Sequence, residues 1–272
     1  MKCIHSLFLL AMLTAVDRAE AGAVVEWMTT EYSDGTPVVG TIEVSTEGKS
    51  SRLEITSVTS NESGGMIYRS DRKEMIAIDH EAKEYYVIDE PTLALMADRV
   101  RESTRQVEQA LAAMTPEERA VAEQMLPNRT AREQFPAAES ELKATGENDI
   151  IAGYACSYYD VLYQGRKVRD LCITDWDKIE AGRQAARAMK EFSDFFAGMR
   201  DAFTGAGGLD ALDRQQEMFV YMDRLKGYPV LSRDYDAEGN STNETRLKSA
   251  RTSSIDAALF KPPPGYAERA IQ

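Results

Sequence analysis

Short runs in which apolar and polar residues alternate occupy residues 24–88. Leu53 and Ile55, for example, alternate with Arg52 and Glu54, and this period of two is typical of a strand with one buried and one exposed face. Clusters of Gly, Asn, Asp and Pro separate the runs, and these residues favour turns because they tolerate or fix the backbone angles that turns need. The pattern predicts six strands, at residues 24–32, 38–45, 51–58, 66–69, 74–78 and 85–88.

Two later stretches, near 91–127 and 177–226, repeat apolar residues every three or four positions and predict helical insertions. In the first stretch, Thr115 and Pro116 form an N-cap and a first helical residue, so a second helix is expected through about residue 126. The second stretch is rich in Met and Phe. Both helical insertions should pack on one face of the sheet as a lid.

Further strand patterns lie at residues 141–145, 154–162, 167–174, 229–235 and 244–250, for a total of about eleven strands. Because hairpins dominate and the spacing of βαβ units is absent, the fold class is expected to be α+β with an antiparallel sheet. The last strands are too few for a sheet of their own and should complete the first one. We expect a single domain over residues 22–266, followed by a polar tail at 267–272.

Residues 1–21 have the anatomy of a signal peptide. Lys2 precedes an apolar stretch at residues 7–16, and Ala19-Glu20-Ala21 provides a small-x-small cleavage site. We expect cleavage after Ala21 and export to the periplasm or the medium. No other apolar run approaches the roughly 20 residues of a transmembrane anchor. The 272 residues carry 45 Asp and Glu against 32 Lys and Arg, a net charge of −13 that disfavours nucleic acid as a partner.

Two cysteines, Cys156 and Cys172, follow the signal peptide, and in an exported chain they predict a disulfide. A three-residue hairpin loop at 163–165 would place them directly opposite each other. A two-residue turn would instead pair Val161 with Val168, and both registers remain open. A free thiol pair or a metal site are the alternatives, although a metal site is disfavoured because only one histidine follows the signal peptide and there is no C-x-x-C motif.

Catalytic motifs are absent from the sequence. There is no G-x-S-x-G, P-loop, H-E-x-x-H or dinucleotide fingerprint. His80 lies in an Asp-His-Glu turn and is interpreted as a solvated turn residue. In the Asp175-Trp176-Asp177 string, Asp177 is expected to cap a helix and Trp176 to pack in the core. We therefore expect no catalytic residue, no cofactor and no bound metal.

The predicted helices carry an unusual number of Met and Phe residues. Such a stripe is ordinarily core, but methionine is flexible and recurs on surfaces that adapt to variable apolar ligands. The stripe is thus either plain core or the lining of an apolar cavity. The candidate lining residues are Met96, Val100, Leu111, Met189, Phe192, Phe196, Met199, Phe203, Phe219 and Met222.

Several strings resemble the exported bacterial family known as domain-of-unknown-function 4412. These include EGKSSRLEI at 47–55, GYACSYYDVLYQGRKVRDLCITDW at 153–176 and SIDAALFKPPPGY at 254–266. The order of the elements is also similar to that of the periplasmic lipoprotein carriers of the LolA/LolB type. This resemblance implies an unclosed, strongly curved antiparallel barrel with a helical lid over an apolar cavity. It implies no catalytic residues, and it departs at Cys172, where the family has an aromatic residue.

Three functions are consistent with these features. The first is a soluble periplasmic carrier that holds a lipid, a lipoprotein or another apolar ligand between sheet and helices. The second is an envelope module for protein–protein interaction or sensing, with a filled core and an exposed apolar patch. The third is a hydrolase with a carboxylate pair, which would require two acids converging in a cleft with perturbed pKa values. The first is favoured.

Overall fold

The computed structural model describes residues 21–33, 36–58, 63–115, 119, 139–202, 218 and 220–271. Its strands are β1 (Gly22–Ser33), β2 (Thr36–Glu47), β3 (Ser50–Ser57), β4 (Ser63–Arg69), β5 (Glu74–Asp79), β6 (Glu84–Ile88), β7 (Glu141–Ile151), β8 (Tyr154–Tyr163), β9 (Arg166–Asp175), β10 (Gly227–Tyr235), β11 (Ser241–Ser253) and β12 (Ala267–Arg269). Helix α1 spans Glu90–Ala112 and α2 spans Gly182–Ala202, residues 220–225 are also helical, and 3-10 turns lie at Trp176–Lys178 and Ala257–Phe260.

All twelve strands belong to one unclosed, strongly curved sheet. Their order is β12-β6-β5-β4-β3-β2-β1-β11-β10-β9-β8-β7. Strands β1 to β6 pair in succession, as do β7 to β11, all antiparallel, and β1 joins these two halves by pairing with β2 on one side and β11 on the other. The predicted α+β class and antiparallel curved sheet are confirmed.

Alternation along the strands gives the sheet two different faces. Val25, Val44, Leu53, Met66 and Ala77 are successive cross-strand partners on the face that α1 and α2 cover. We call this the helix face. The residues between them point to the opposite face, which the 3-10 turn at Ala257–Phe260 covers in part. Burial on both faces explains why these strands carry apolar residues at successive positions.

The last predicted segment, the polar tail at 267–272, contributes a twelfth strand. β12 pairs with β6 in the parallel direction, the one exception to antiparallel pairing among the strands described. Its three residues are Ala, Glu and Arg, all exposed. Such a short polar segment has no apolar alternation by which its sequence could identify it as a strand.

The β8–β9 hairpin differs from both predicted registers. Its turn has two residues, Gln164 and Gly165, both with positive φ, as the second alternative requires. A bulge at Val168 then shifts the register by one, so that Val161 pairs with Arg169 instead of Val168. The bulge also places Cys172 opposite Tyr158 and diagonal to Cys156.

The Cys156–Cys172 disulfide nevertheless forms, with the two Cα atoms 5.4 Å apart. Both cysteines are buried in a hydrophobic cluster that also contains Tyr228 and Leu231 of β10. We call this cluster the main core. The prediction of a disulfide is confirmed, and the two cysteines lie diagonally across the strand pair, not directly opposite each other as the three-residue loop would have placed them.

Helix α1 begins where the sequence predicts. Asp89 is its N-cap, and the carboxylate accepts a hydrogen bond of 2.9 Å from the backbone N–H of Thr92. Helix α2 begins only at Gly182, so Asp177 does not cap it and instead pairs with Arg183. All but Ala21 of the predicted signal peptide, and all but Arg119 of the predicted helix at 116–126, lie outside the described residues.

Candidate functional site

The two helices meet the sheet at an apolar cluster over β4, β5 and β6, which we call the helix–sheet cluster. Its buried members are Tyr68, Met75, Ile88, Leu93 and Phe192. Partly buried residues complete it, namely Met66, Ala77, Met96, Val100, Phe195 and Ile271. The cluster forms because the alternating apolar residues of β4 and β5 face the helical apolar stripes of α1 and α2.

Tyr68 is the centre of this cluster. Its ring meets Phe192 edge to face at a centroid distance of 5.7 Å and lies tilted against Phe195 at 5.2 Å. Burial raises the pKa of the Tyr68 hydroxyl, and the negative charges of Glu191 and Asp194 on α2 raise it further. The cluster is therefore apolar inside and carries acidic groups at its α2 rim.

The structure brings together three of the ten predicted lining residues, Met96, Val100 and Phe192. Met222 is buried in the main core instead, beside Val230 and Leu247, and Leu111 is half-buried outside the described clusters. For the other five predicted residues, the structure does not describe the residue or its side chain. These are Met189, Phe196, Met199, Phe203 and Phe219. Their role as lining stays a prediction.

The sequence did not single out the strand residues of the cluster. Tyr68 and Met75 belong to predicted strands, but alternation alone does not show which face the helices cover. Leu93 lies three residues before Met96 and could have been added to the helical stripe by spacing. Ile271 could not have been found, because it lies in the predicted polar tail and reaches the cluster only through β12.

The apolar stripe of α1 continues beyond the sheet. Apolar residues spaced by three, four or seven positions lie at Leu93, Ala97, Val100 and Val107, and Met114 follows the end of the helix at the same spacing. Leu93 and Ala97 are buried, whereas Val107 is 40% and Met114 37% exposed. With 23 residues the helix is about 34 Å long, so its second half extends past the strands that cover its first half.

A network of charged side chains crosses β8 to β11. Asp160 and Asp170 are cross-strand partners, and the Lys167 Nζ atom lies 2.6 Å from Asp160 and 3.3 Å from Asp170. Arg233 joins Asp170 to Glu244, with its Nη2 atom 2.7 Å from the Glu244 carboxylate. Burial alone would raise the pKa of Glu244, but hydrogen bonds from arginines outweigh it and lower the pKa. Every carboxylate of this network has a cationic partner.

His80 is not a solvated turn residue. Its side chain is 20% exposed, and its two ring nitrogens contact Glu54 Oε2 at 2.8 Å and the Tyr266 hydroxyl at 2.9 Å. The sequence could not reveal this arrangement, because Glu54 and Tyr266 are 26 and 186 residues away from His80. The histidine links the sheet to the segment that crosses its outer face.

An open cleft of about 620 Å³ lies at the start of α2. Trp176 and Ala186 line it together with charged residues, namely Asp175, Asp177, Lys178, Arg183 and Lys226. Lys178 pairs with Asp175, Arg183 with Asp177 and Lys226 with Asp223. A neighbouring carboxylate beside each of these three exposed cations lowers the positive potential that an anionic ligand would meet.

Neither a metal site nor a membrane span is found in the described residues. In that part of the chain, no group of three or more His, Cys, Asp and Glu side chains could hold a metal ion. Likewise, none of the helices described there is both long and apolar enough to cross a membrane.

Comparisons with known proteins find structural similarity of low sequence identity and no matching family. No protein-family model matches it, and no curated protein does. An uncharacterised conserved protein from Thermus thermophilus matches its structure with a TM-score of 0.43 and 7% identity, over 93% of this chain and 91% of that one. MucB in the MucA/MucB complex of Pseudomonas aeruginosa matches with a TM-score of 0.38 and 8% identity, and the match covers 90% of this chain but 56% of MucB.

A DUF1329 family protein from Desulfovibrio piger matches with a TM-score of 0.28 and 8% identity, over 90% of this chain and 91% of that one. Similarity at this level carries no function from these proteins to this chain. Membership in the family of domain-of-unknown-function 4412 stays a prediction.

Proposed function

We propose that the protein is a non-catalytic binding module of the cell envelope that holds an apolar ligand in the helix–sheet cluster. The ligand class is the acyl chain of a lipid or lipoprotein. Export through a signal peptide cleaved after Ala21 belongs to the same proposal. The disulfide supports an oxidising compartment, and β1 starts at Gly22, directly after the proposed cleavage site.

The observation that carries this proposal is the composition of the helix–sheet cluster. Three methionines, Met66, Met75 and Met96, surround the aromatic pair Tyr68 and Phe192 where the helices contact the sheet. Methionine side chains are unbranched and polarizable, so they repack around different apolar shapes at little loss of contact. A cluster of this kind, closed by helices on one side only, can separate to admit a chain of methylene groups.

The charged groups support a role without catalysis. A hydrolase with a carboxylate pair needs one acid held neutral and one held ionised. Asp160 and Asp170 are the paired carboxylates that β8 and β9 bring together, and Lys167 lies between them. Both carboxylates are therefore already engaged by the same ammonium group instead of facing an open cleft as a free pair.

The test is to export the chain to a bacterial periplasm, purify it without detergent, and combine native mass spectrometry with solvent extraction. A stoichiometric co-purified lipid is the expected result. We also expect Met96→Gln to weaken the uptake of dodecanoic acid about tenfold, because the amide would be buried beside the alkyl chain without a partner.

The matched control is Met28→Gln on β1, where the side chain is 40% exposed. It should leave the dissociation constant unchanged. A clean apo mass together with no uptake of dodecanoic acid or of a lipopeptide would contradict the carrier proposal.

A protein-interaction module is the second candidate, and the exposed half of the α1 stripe favours it. Val107 lies on that part of the helix, and Met114 follows the helix's last residue. If Val107→Lys left lipid uptake intact but abolished the capture of an envelope protein, this surface would be a docking site for that protein. The carrier and interaction proposals therefore make different predictions for the two ends of α1.

A further inference from the structure

The last described segment, residues 255–271, connects the outer face of the sheet to the helix–sheet cluster. We call it the strap. It starts on the face opposite the helices, where Ile255, Phe260 and Tyr266 pack against strands β4 to β6. It then passes along the β6 edge as β12 and ends with Ile271 inside the helix–sheet cluster. One segment thus contacts both faces of the same strands.

The first half of the strap is held firmly. Arg52 Nη1 donates a hydrogen bond of 2.8 Å to the Leu259 carbonyl, and Arg69 Nη2 donates one of 2.8 Å to the Phe260 carbonyl. The Phe260 side chain is 6% exposed among the isoleucines of β4 and β5. Charge-assisted hydrogen bonds of buried groups together with a buried aromatic ring resist local opening.

The contact between His80 and Tyr266 marks the end of this firm half. The imidazole is hydrogen-bonded on one side to Glu54 and on the other to the Tyr266 hydroxyl. The rings of His80 and Tyr266 also meet edge to face at a centroid distance of 5.7 Å. The strap is therefore fixed to the sheet as far as Tyr266.

The second half is held by weaker contacts. β12 is three residues long, pairs on one side with the edge strand β6, and is exposed at each position. Its side-chain contacts are surface ones, a hydrogen bond of 3.0 Å from Tyr85 to Glu268 and an ion pair between Arg269 and Glu84. Exposed ion pairs and short edge pairings are the contacts that open first in a folded protein.

Ile271 lies at the end of this weak half. Its side chain is half-buried against the cluster that contains Leu93, Met96 and Phe192, and its carbonyl accepts a hydrogen bond of 3.3 Å from Arg99 Nη1 on α1. The isoleucine thus occupies space among the residues proposed to receive an acyl chain. It also connects α1 to the strap, and so to the edge of the sheet.

We infer that the end of the strap is a gate for the proposed ligand site, with Ile271 as its plug. While Ile271 is in place, it fills part of the helix–sheet cluster and ties α1 to the sheet edge through Arg99. When residues 267–271 detach, the cluster opens toward the β6 edge, and the firm half of the strap keeps the segment close enough to return. This inference rests on the proposed function, because it concerns the regulation of the same site.

The test uses the full chain and N-phenyl-1-naphthylamine, a neutral probe that fluoresces in apolar surroundings. Ile271→Glu places a charge that the apolar cluster cannot hold, so the plug should leave. Because the apparent dissociation constant is the intrinsic one divided by the open fraction, we expect roughly threefold or more tighter probe binding and a faster association rate. The matched control is Ala270→Glu, which adds the same charge at the adjacent exposed position and should bind like the unmodified chain.

A second variant checks that the effect comes from the plug. Arg99→Gln removes the hydrogen bond to the Ile271 carbonyl and should tighten probe binding less than Ile271→Glu does, whereas Arg101→Gln on the same helix should not change it. The urea midpoint of each variant shows that it is folded. If Ile271→Glu and Arg99→Gln bound the probe with the same affinity as the unmodified chain, the gate would be wrong and the binding proposal would stand. If no variant bound the probe, gate and binding site would both be wrong.

Discussion

Two tyrosines of β10, the buried Tyr228 and the half-buried Tyr235, differ in the hydrogen bonding of their hydroxyl groups. Tyr228 is 1% exposed between the rings of Trp27 and Trp176, and its hydroxyl has no hydrogen-bond partner among the described residues. Burial raises the pKa of this hydroxyl well above its usual value, with a further contribution from Tyr154. Tyr235 donates a hydrogen bond of 2.7 Å to the buried carboxylate of Asp170. We therefore expect the hydroxyl group to affect stability in opposite directions at the two positions.

We predict that Tyr228→Phe raises the free energy of unfolding by about 1 kcal/mol, because it removes a buried hydroxyl that has lost water and gained no partner among the described residues. Tyr235→Phe should lower it by about 1–3 kcal/mol, since Asp170 would lose a donor in a buried position. Urea denaturation of the two variants measures both changes. A loss of stability in Tyr228→Phe equal to that in Tyr235→Phe would show that the Tyr228 hydroxyl does have a partner.

Chemistry that depends on a single residue type could be predicted, whereas chemistry that depends on a distant partner could not. The pairing of Cys156 with Cys172 followed from the count of cysteines in an exported chain and is confirmed. His80 was misinterpreted because its two partners lie on β3 and on the strap. Nothing near His80 in the sequence indicates either contact.

Among the secondary-structure elements, α1 has an N-terminus that is fixed by residues close to it in the sequence. Asp89 caps the helix, and its side-chain and backbone hydrogen bonds with Thr92 lower the pKa of the carboxyl. A carboxylate at a helix N-terminus also interacts favourably with the helix dipole. Both effects depend on residues within one helical turn, so the sequence alone was sufficient to place this boundary.

We predict that Asp89→Ala lowers the free energy of unfolding by about 1 kcal/mol at pH 7. Because the folded-state pKa is lower than the unfolded one, this stabilisation is present above the unfolded value, near 3.8, and is lost as pH falls through the folded value. Urea midpoints of the variant and the unmodified chain should therefore converge as the pH is lowered below 3.8.

The control for this experiment is Asp98→Ala. Asp98 is an exposed residue in the interior of α1, paired with Arg101 on the surface. Its replacement should change stability by less than about 0.5 kcal/mol, because surface ion pairs contribute little and alanine favours the helix. A loss equal to that of Asp89→Ala would mean that charge, and not capping, is responsible.

In the β8–β9 hairpin, the turn could be predicted from the sequence but the bulge could not. Its turn residues were identifiable because Gly165 tolerates positive φ and two-residue turns favour such residues. The bulge at Val168 has no comparable signature in the sequence. It is favoured by packing, because both Val161 and Val168 are buried in the cluster that contains Tyr221.

For the whole molecule, the decisive pairing is that of β1 with β11. These strands are more than 200 residues apart in the sequence, yet they pair from Gly22 with Ser253 to Glu31 with Asn243. The first β block and the last one therefore share one sheet and one core. A chain arranged in this way should not contain a half that is stable by itself.

We predict a single cooperative unfolding transition. The two tryptophans allow a direct test, since Trp27 lies on β1 and Trp176 follows β9. In Trp27→Phe and Trp176→Phe variants, the remaining tryptophan should report the same urea midpoint as the far-UV circular dichroism. Two separated midpoints would contradict the single domain that the sequence predicts.

Features that depend on neighbours along the chain could be predicted from the amino-acid order alone. These are the strand and helix patterns, the turn residues and the disulfide, because each follows from side-chain periodicity, backbone preference or residue count. Three other features emerged only from the folded chain: which strands pair across the sheet, which face the helices cover, and that Ile271 reaches Leu93 and Phe192. Those contacts join residues far apart in the sequence, and their free energy depends on shape and burial that no local pattern encodes.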